Sequence, residues 1–326
     1  MRRSSVSFVV VAIALASAAA CEKTHDPQGS GSLDASDKAL FQYLPAGEAL
    51  FWGGNYMKLQ NFMQSTMGQM TSAMMDKMGS GMSQWMTCFA DVKQLKVAAS
   101  VGFDGKGATM RMVTGGMTVD QIVKCAQQAG FATSVDPDHK FASVVLPPPA
   151  PSAGYLVLPS GALYTRQGFA LALTPTVVSA TRAELEADQA KLGANNATTD
   201  PTLARLVGKV DRSKTAWVVG SAANTPVADK LGDAWATIDI SSGLAMELTL
   251  QVKNAADIDK IDQGITQLRG MADQVPASFQ DLIKNLKFDR QGDRVHFSIK
   301  VGEDALKSIM SQVGGMIGAN MAAGAH

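Results

Sequence analysis

LKVAASVGFDGKGATMRMVT, residues 95–114, is the stretch that decides the fold class. Two runs with strand-like patterning flank Asp104-Gly105-Lys106-Gly107, a cluster suited to a tight turn, and together they read as a β-hairpin. A hairpin is antiparallel by construction. Directly after it, TVDQIVKCAQQAG (118–130) changes the apolar period from 2 to 3.6. Thr118 is placed to cap a short helix, Val119, Ile122 and Val123 share one face, and Gly130 stops it.

Working outward, ALFWGG (49–54) precedes the hairpin as a buried strand, and the same order recurs later. TAWVVGS (215–221) reads as a buried strand and TPVADKLGDA (225–234) as a short helix. AWATIDI and LAMELTLQV then flank Ser241-Ser242-Gly243 as a second hairpin, followed by a helix starting near Ala256 that carries Ile258, Ile261, Ile265 and Leu268. Phe51 and Trp217 occupy equivalent strand positions. The expectation is an α+β protein of antiparallel hairpin-plus-helix units with an internal duplication. Residues 39–192 form the first half, 193–201 a linker and 202–326 the second half. Further hairpins are expected in GALYTRQGFALAL, turning at Arg166-Gln167-Gly168, and in KFDRQGDRVHFSIKV, turning at Arg290 to Asp293. EDALKSIMSQV reads as a last helix, and the prolines of LPPPAPSAG (146–154) mark a connector.

The N-terminus carries a different kind of information. Arg2 and Arg3 precede an apolar run from Val6 to Ala16 and the small residues Ser17-Ala18-Ala19-Ala20, so residues 1–20 have the layout of a signal peptide. The run is too short to span a bilayer, which takes about 20 residues. Ala18-Ala19-Ala20-Cys21 resembles the lipobox of bacterial lipoprotein precursors, with Ala18 where that family prefers Leu. The resemblance implies cleavage before Cys21 and acylation of its thiol, and Glu22 after it implies sorting to the outer membrane. Ala18 and Ala20 also form an ordinary A-x-A cleavage site, which cuts the same bond. Residues 21–38 are polar, rich in Gly, Ser and Asp, and read as a lipidated flexible tether.

Three cysteines give an odd thiol in an oxidising compartment unless one is consumed. With Cys21 acylated, Cys88 and Cys125 remain as a disulfide pair. Without Arg2 and Arg3, the 29 basic residues fall to 27, against 29 acidic ones, so the chain lacks the electrostatic footprint of a nucleic-acid binder.

Candidate chemistry is sparse. The four histidines, His25, His139, His296 and His326, are scattered, and no zinc-type spacing appears. GFDGKG (102–107) lacks the spacer and hydroxyl residue of a P-loop, and no G-x-S-x-G elbow occurs. Asp257, Asp259 and Asp262 suit a helix N-terminus better than a calcium loop. No catalytic residue, cofactor or metal site is assigned.

The remaining feature is MQSTMGQMTSAMMDKMGSGMSQWM, residues 63–86, with eight methionines. On a helix, Met63, Met67, Met70, Met74 and Met78 fall on one stripe before Gly79-Ser80-Gly81 interrupts it. Such a stripe packs on the protein's own sheet, or offers an apolar contact face to a lipid, peptide or envelope protein. Copper(I) is a third chemistry, disfavoured by the lack of a neighbouring histidine or Met-x-Met unit. The sequence therefore points to a non-enzymatic, lipid-anchored envelope protein that binds or scaffolds an apolar ligand or partner, with no nucleic-acid partner. An enzyme with a dispersed site and a copper-handling protein are the alternatives. A polar cleft with converging titratable groups would favour an enzyme, an apolar groove a binder.

Overall fold

The computed structural model describes residues 32–55, 58, 84–85, 88, 92, 95–103, 107–135, 142–145, 154–170, 177–275 and 277–309. Cys21 and the stripe Met63, Met67, Met70, Met74 and Met78 lie outside the described residues.

The chain is a mixed α+β protein built on one large antiparallel sheet. Its first elements are helix α1 (Ala35–Phe41) and strand β1 (Leu50–Asn55), followed by the hairpin β2 (Lys96–Phe103) and β3 (Gly107–Gly115). Helix α2 (Val119–Gln128) comes next, with β4 (Ala132–Val135), β5 (Ala142–Val145), β6 (Gly154–Val157), β7 (Leu163–Ala170) and β8 (Val177–Ser179). Helices α3 (Arg182–Leu192) and α4 (Pro201–Leu206) lead to β9 (Ala216–Ser221) and to the hairpin β10 (Leu231–Asp239) and β11 (Leu244–Val252). Helices α5 (Ala255–Gly270) and α6 (Ala277–Asn285) precede a last hairpin, β12 (Lys287–Gln291) and β13 (Arg294–Val301), and residues 303–309 are helical.

Strand order is β12-β13-β11-β10-β9-β1-β2-β3-β7-β6-β5-β4, with β8 added beside β7. The central pair is β1 and β9, antiparallel from Leu50 opposite Gly220 to Gly54 opposite Ala216, so residues early and late in the chain share one ladder. The hairpins at 95–114, 234–252 and 287–301 form as expected. So does α2, where Thr118 accepts from the Gln121 amide and Gln121 returns the bond as a capping box.

Opposed residues in a ladder share a face, which sorts the sheet into two surfaces. The front carries Phe51, Ala98, Val113, Tyr164, Trp217, Val219 and Trp235. It packs under α1, α3 and α4 through Phe41, Leu185, Leu203 and Leu206. Among the described residues, the back is covered only at its ends. At one, α2 lays Ile122 and Ala126 over Ala142, Val144, Val157 and Leu163. At the other, Leu282 and Leu286 of the α6 segment meet Met246 and Ile299, while Ile258 and Ile261 of α5 meet Leu250, Val295 and Phe297.

Four expectations are corrected. GALYTRQGFALAL does not turn at Arg166-Gln167-Gly168: β7 runs straight through, because Gln167 and Gly168 pair with Met110 and Thr109 on one side and with Ser179 and Val178 on the other. Two ladders override a local turn preference. TPVADKLGDA is not a helix. A 3₁₀ turn at Ala222–Asn224 and further turns lead into β10, since Asp233 and Ala234 are taken by pairing with Ser221 and Gly220. The tether, expected to run to Lys38, ends sooner: Leu33 is buried and Asp34 caps α1 through the Asp37 amide at 2.8 Å. Finally, 193–201 is not a loose linker but is packed into the fold. Ala197 is fully buried and donates its amide to the Leu44 carbonyl at 2.7 Å, and Asp200 accepts from the amides of Gly47 (2.7 Å) and Leu203 (2.8 Å).

Candidate functional site

The pleat of ALFWGG puts consecutive residues on opposite faces. Phe51 and Gly53 point to the front core, while Trp52 and Gly54 belong to the back, between the helices that cover its two ends. Register carries that back-face set across the centre: Gly54 opposes Val97 and Ala216, Trp52 opposes Ala99 and Val218, and Ala216 opposes Ile238. Trp52, Val101, Met110, Met112, Val218 and Ile238 are all only half-buried there.

At the end of these strands the strip deepens into a depression of about 150 Å³, lined by Trp52, Gly54, Asn55, Val97, Thr215, Ala216, Ile238 and Ile240. Its two polar side chains are engaged elsewhere. Asn55 Oδ1 accepts from the Lys58 amide at 3.2 Å, and the Thr215 hydroxyl accepts from the Ile240 amide at 3.1 Å and donates to Asp239 at 3.4 Å. Glycine at 54 keeps the floor open, since a Cβ there would come within 3.0 Å of the Thr215 carbonyl oxygen. The volume matches about five methylene-sized units, taking the ~30 Å³ of a liquid water as the yardstick. Among the described residues, its lining carries no charged side chain.

A second cluster lies on the front face, beneath α3. Arg111 donates to Glu48 Oε1 at 2.9 Å and approaches Asp188 at 3.8 Å; Arg166 reaches Asp188 at 3.0 Å and Glu184 at 3.2 Å; the Tyr164 hydroxyl donates to Asp188 at 3.1 Å. Burial, reinforced by the negative charge of Asp188, raises the Tyr164 hydroxyl well above its ordinary range. Burial also raises Glu48, against the pull of Arg111 and with the push of Asp188 and Asp200. Glu48 Oε2 and the Ser100 hydroxyl are buried without a hydrogen-bond partner among the described residues. Sequence reasoning missed this group because its members come from the loop before β1, from three strands and from α3, with no local spacing to betray them.

The cysteine pairing is realised: Cys88 and Cys125 form a disulfide with Cα atoms 5.7 Å apart. The bond ties residue 88 to the buried face of α2, beside Trp85, whose ring lies 5.5 Å from that of Phe131. His296 is half-buried on β13 and shares a 3.1 Å hydrogen bond with Thr249. Among the described residues no group of three or more His, Cys, Asp or Glu side chains is placed to hold a metal ion. The methionines considered for copper fall outside those residues. No helix among the described residues is long and apolar enough to cross a membrane.

The class so defined is an α+β protein with a single broad antiparallel sheet, apolar at the centre of its back face. No family model and no curated protein sequence matches the chain. Among solved structures it is similar to crystal form I of TP0453, 10% identical over 84% of this chain and 96% of that one, with a TM-score of 0.46. It is likewise similar to crystal form III of TP0453, 10% identical over 87% of this chain and 100% of that one, with a TM-score of 0.47.

Proposed function

We propose that the chain is a lipid-anchored protein of the bacterial cell envelope that binds an apolar, acyl-chain-like ligand on the back of its sheet and catalyses no reaction. The depression lined by Trp52, Val97, Ala216, Ile238 and Ile240 carries this reading. The lipobox-like Ala18-Ala19-Ala20-Cys21 supports the anchor, and the Cys88–Cys125 bridge suits an oxidising compartment. Burying about five methylenes at ~0.8 kcal/mol each contributes at most about 4 kcal/mol before the cost of association, so the depression alone holds a short alkyl chain no tighter than millimolar. A chain that continues along Val218 and Met112 gains more.

The titratable cluster around Glu48 favours architecture over catalysis. Its arginines are committed to carboxylates that join α3 and the loop before β1 to the sheet, and its charged side chains are only 10–23% exposed apart from Glu184. A duplicated ancestry is supported by the matching order of elements: each half opens with a central strand, β1 or β9, continues with a hairpin and a helix, and returns a later strand to the hairpin's outer edge.

Octanoate titration of the soluble Cys21→Ser protein tests the proposal. The indole N–H resonance of Trp52, followed by NMR, should shift saturably at millimolar octanoate. No saturable shift at Trp52, or an equal shift at all four tryptophans, overturns the site.

A further inference from the structure

The start of the fold and the depression share one end of the central strands. Leu33 is the first buried residue among those described, and the turn that follows it is pinned by Lys96, which reaches Asp37 at 2.8 Å, the Ser36 hydroxyl at 2.6 Å and Asp34 at 3.4 Å. Arg212 holds Asp37 from the other side at 3.2 Å. Lys96 lies opposite Asn55 in the ladder, and Asn55 donates its amide to the Thr215 carbonyl at 2.9 Å. Asn55 and Thr215 both line the depression. The chain thus leaves the domain on the front face at the strand ends where the depression opens on the back, and a sheet's thickness separates the two.

Between Cys21 and Leu33 lie eleven residues, 22–32, which span at most about 40 Å when extended. Their Gly, Ser and Asp content is that of a linker sequence. A group on Cys21 can therefore pass around the strand ends to the depression. Short flexible linkers present a tethered group at millimolar effective concentration, the same order as the limit on affinity derived above. A free alkyl chain at micromolar concentration cannot compete with it.

Resting on the binding function proposed above, we infer that the occupant of the depression is the acyl chain carried by the protein's own Cys21, seated there when the protein is away from the bilayer. The site's size sets the direction of the exchange. It covers only part of a long acyl chain, so a bilayer, which buries the whole chain, withdraws the anchor from the protein. Away from a membrane the depression shields the chain end, and on a membrane it stands empty beside the lipid.

The test uses the full lipidated protein, labelled by growth on a fatty acid carrying a terminal diazirine. After detergent removal it should remain monomeric, and irradiation should place the adduct on Trp52, Val97, Ile238 or Ile240. The same protein on phosphatidylethanolamine vesicles should lose that adduct at least severalfold. Aggregation on detergent removal, adducts elsewhere on the chain, or adducts unchanged by vesicles would each overturn the inference. The octanoate titration separates the two readings. Saturable binding by Cys21→Ser protein with no anchor adduct rejects only the self-occupied site, whereas absence of octanoate binding rejects the binding function itself.

Discussion

Gly53→Ala probes the seam on which the whole sheet depends. Gly53 of β1 lies opposite Trp217 of β9, and the indole occupies the space beside the glycine Cα. A Cβ at position 53 would meet Trp217 Nε1 at 2.8 Å, with Cζ2 and Cε2 closer still. The ring has nowhere to retreat: Trp217 is 2% exposed and stacks on Phe41, with centroids 5.5 Å apart and planes 17° from parallel. Overpacking of this kind costs about 1–3 kcal/mol. Replacing a strand glycine returns about 0.5–1 kcal/mol of backbone entropy. The net expectation is a loss of about 1–2 kcal/mol, seen as a lower urea midpoint with an unchanged slope in far-ultraviolet circular dichroism. Trp217→Leu alone should also destabilise, by opening a cavity. In the double variant the new methyl occupies vacated space, so the combined loss should fall at least ~1 kcal/mol short of the sum. A Gly53→Ala protein as stable as the wild type, or strict additivity of the two changes, would refute the close packing of this seam.

Other expectations concern the staple and the charges. Replacing Cys88 and Cys125 by serine frees a 37-residue separation and should cost about 4 kcal/mol on the loop-entropy estimate; a loss under 1 kcal/mol by urea denaturation would contradict it. Glu48 has its carboxyl raised in the fold by burial, so its contribution is most favourable below its unfolded pKa and declines as pH rises through the raised value. Glu48→Gln should therefore gain relative to wild type between pH 4 and pH 8, and a pH-independent difference between the two proteins would sink the argument. At Asp34, partial burial pushes the carboxyl up, but hydrogen bonds from Ser36 and the Asp37 amide, with Lys96, bring it from 3.8 down to about 2. That shift corresponds to about 2.4 kcal/mol unscreened, and with the side chain 52% exposed about 1 kcal/mol is expected. Asp34→Asn keeps the cap and should cost this much at pH 6, with the deficit vanishing as pH falls from 3.8 toward 2; a deficit that persists at pH 2 would assign it to something other than the charge.

Local pattern was a sound guide wherever one segment supplies its own partners. The hairpin at 95–114 needs only its turn and its alternation, α2 only Thr118, Gln121 and a stripe through Ile122, and α5 the spacing of Ile258 and Ile265. It misled where distant chain intervenes. Gln167-Gly168 looks like a turn until β3 and β8 claim it from both sides, and TPVADKLGDA looks helical until β9 recruits its end. The polar segment at 193–201 resembles a linker, yet Leu44, Gly47 and Asp200 bind it into the fold. The depression was half legible: alternation in ALFWGG separates Trp52 from Phe51, but nothing in that segment reveals that Ala216, Ile238 and Ile240 will meet it.

By itself, then, the sequence determined the signal-like leader, the lipobox resemblance at Cys21, the cysteine pair and the local strands and helices, because charge, thiol chemistry and side-chain period act within a few residues. Only the tertiary structure decided that β1 and β9 join early and late parts of the chain in one sheet, that Glu48, Arg111, Arg166 and Asp188 converge under α3, and that Leu33 and Asp34 sit at the same strand ends as the apolar depression, across the sheet from it. Those outcomes depend on contacts between residues tens to more than a hundred positions apart, which register and burial select and no local pattern encodes.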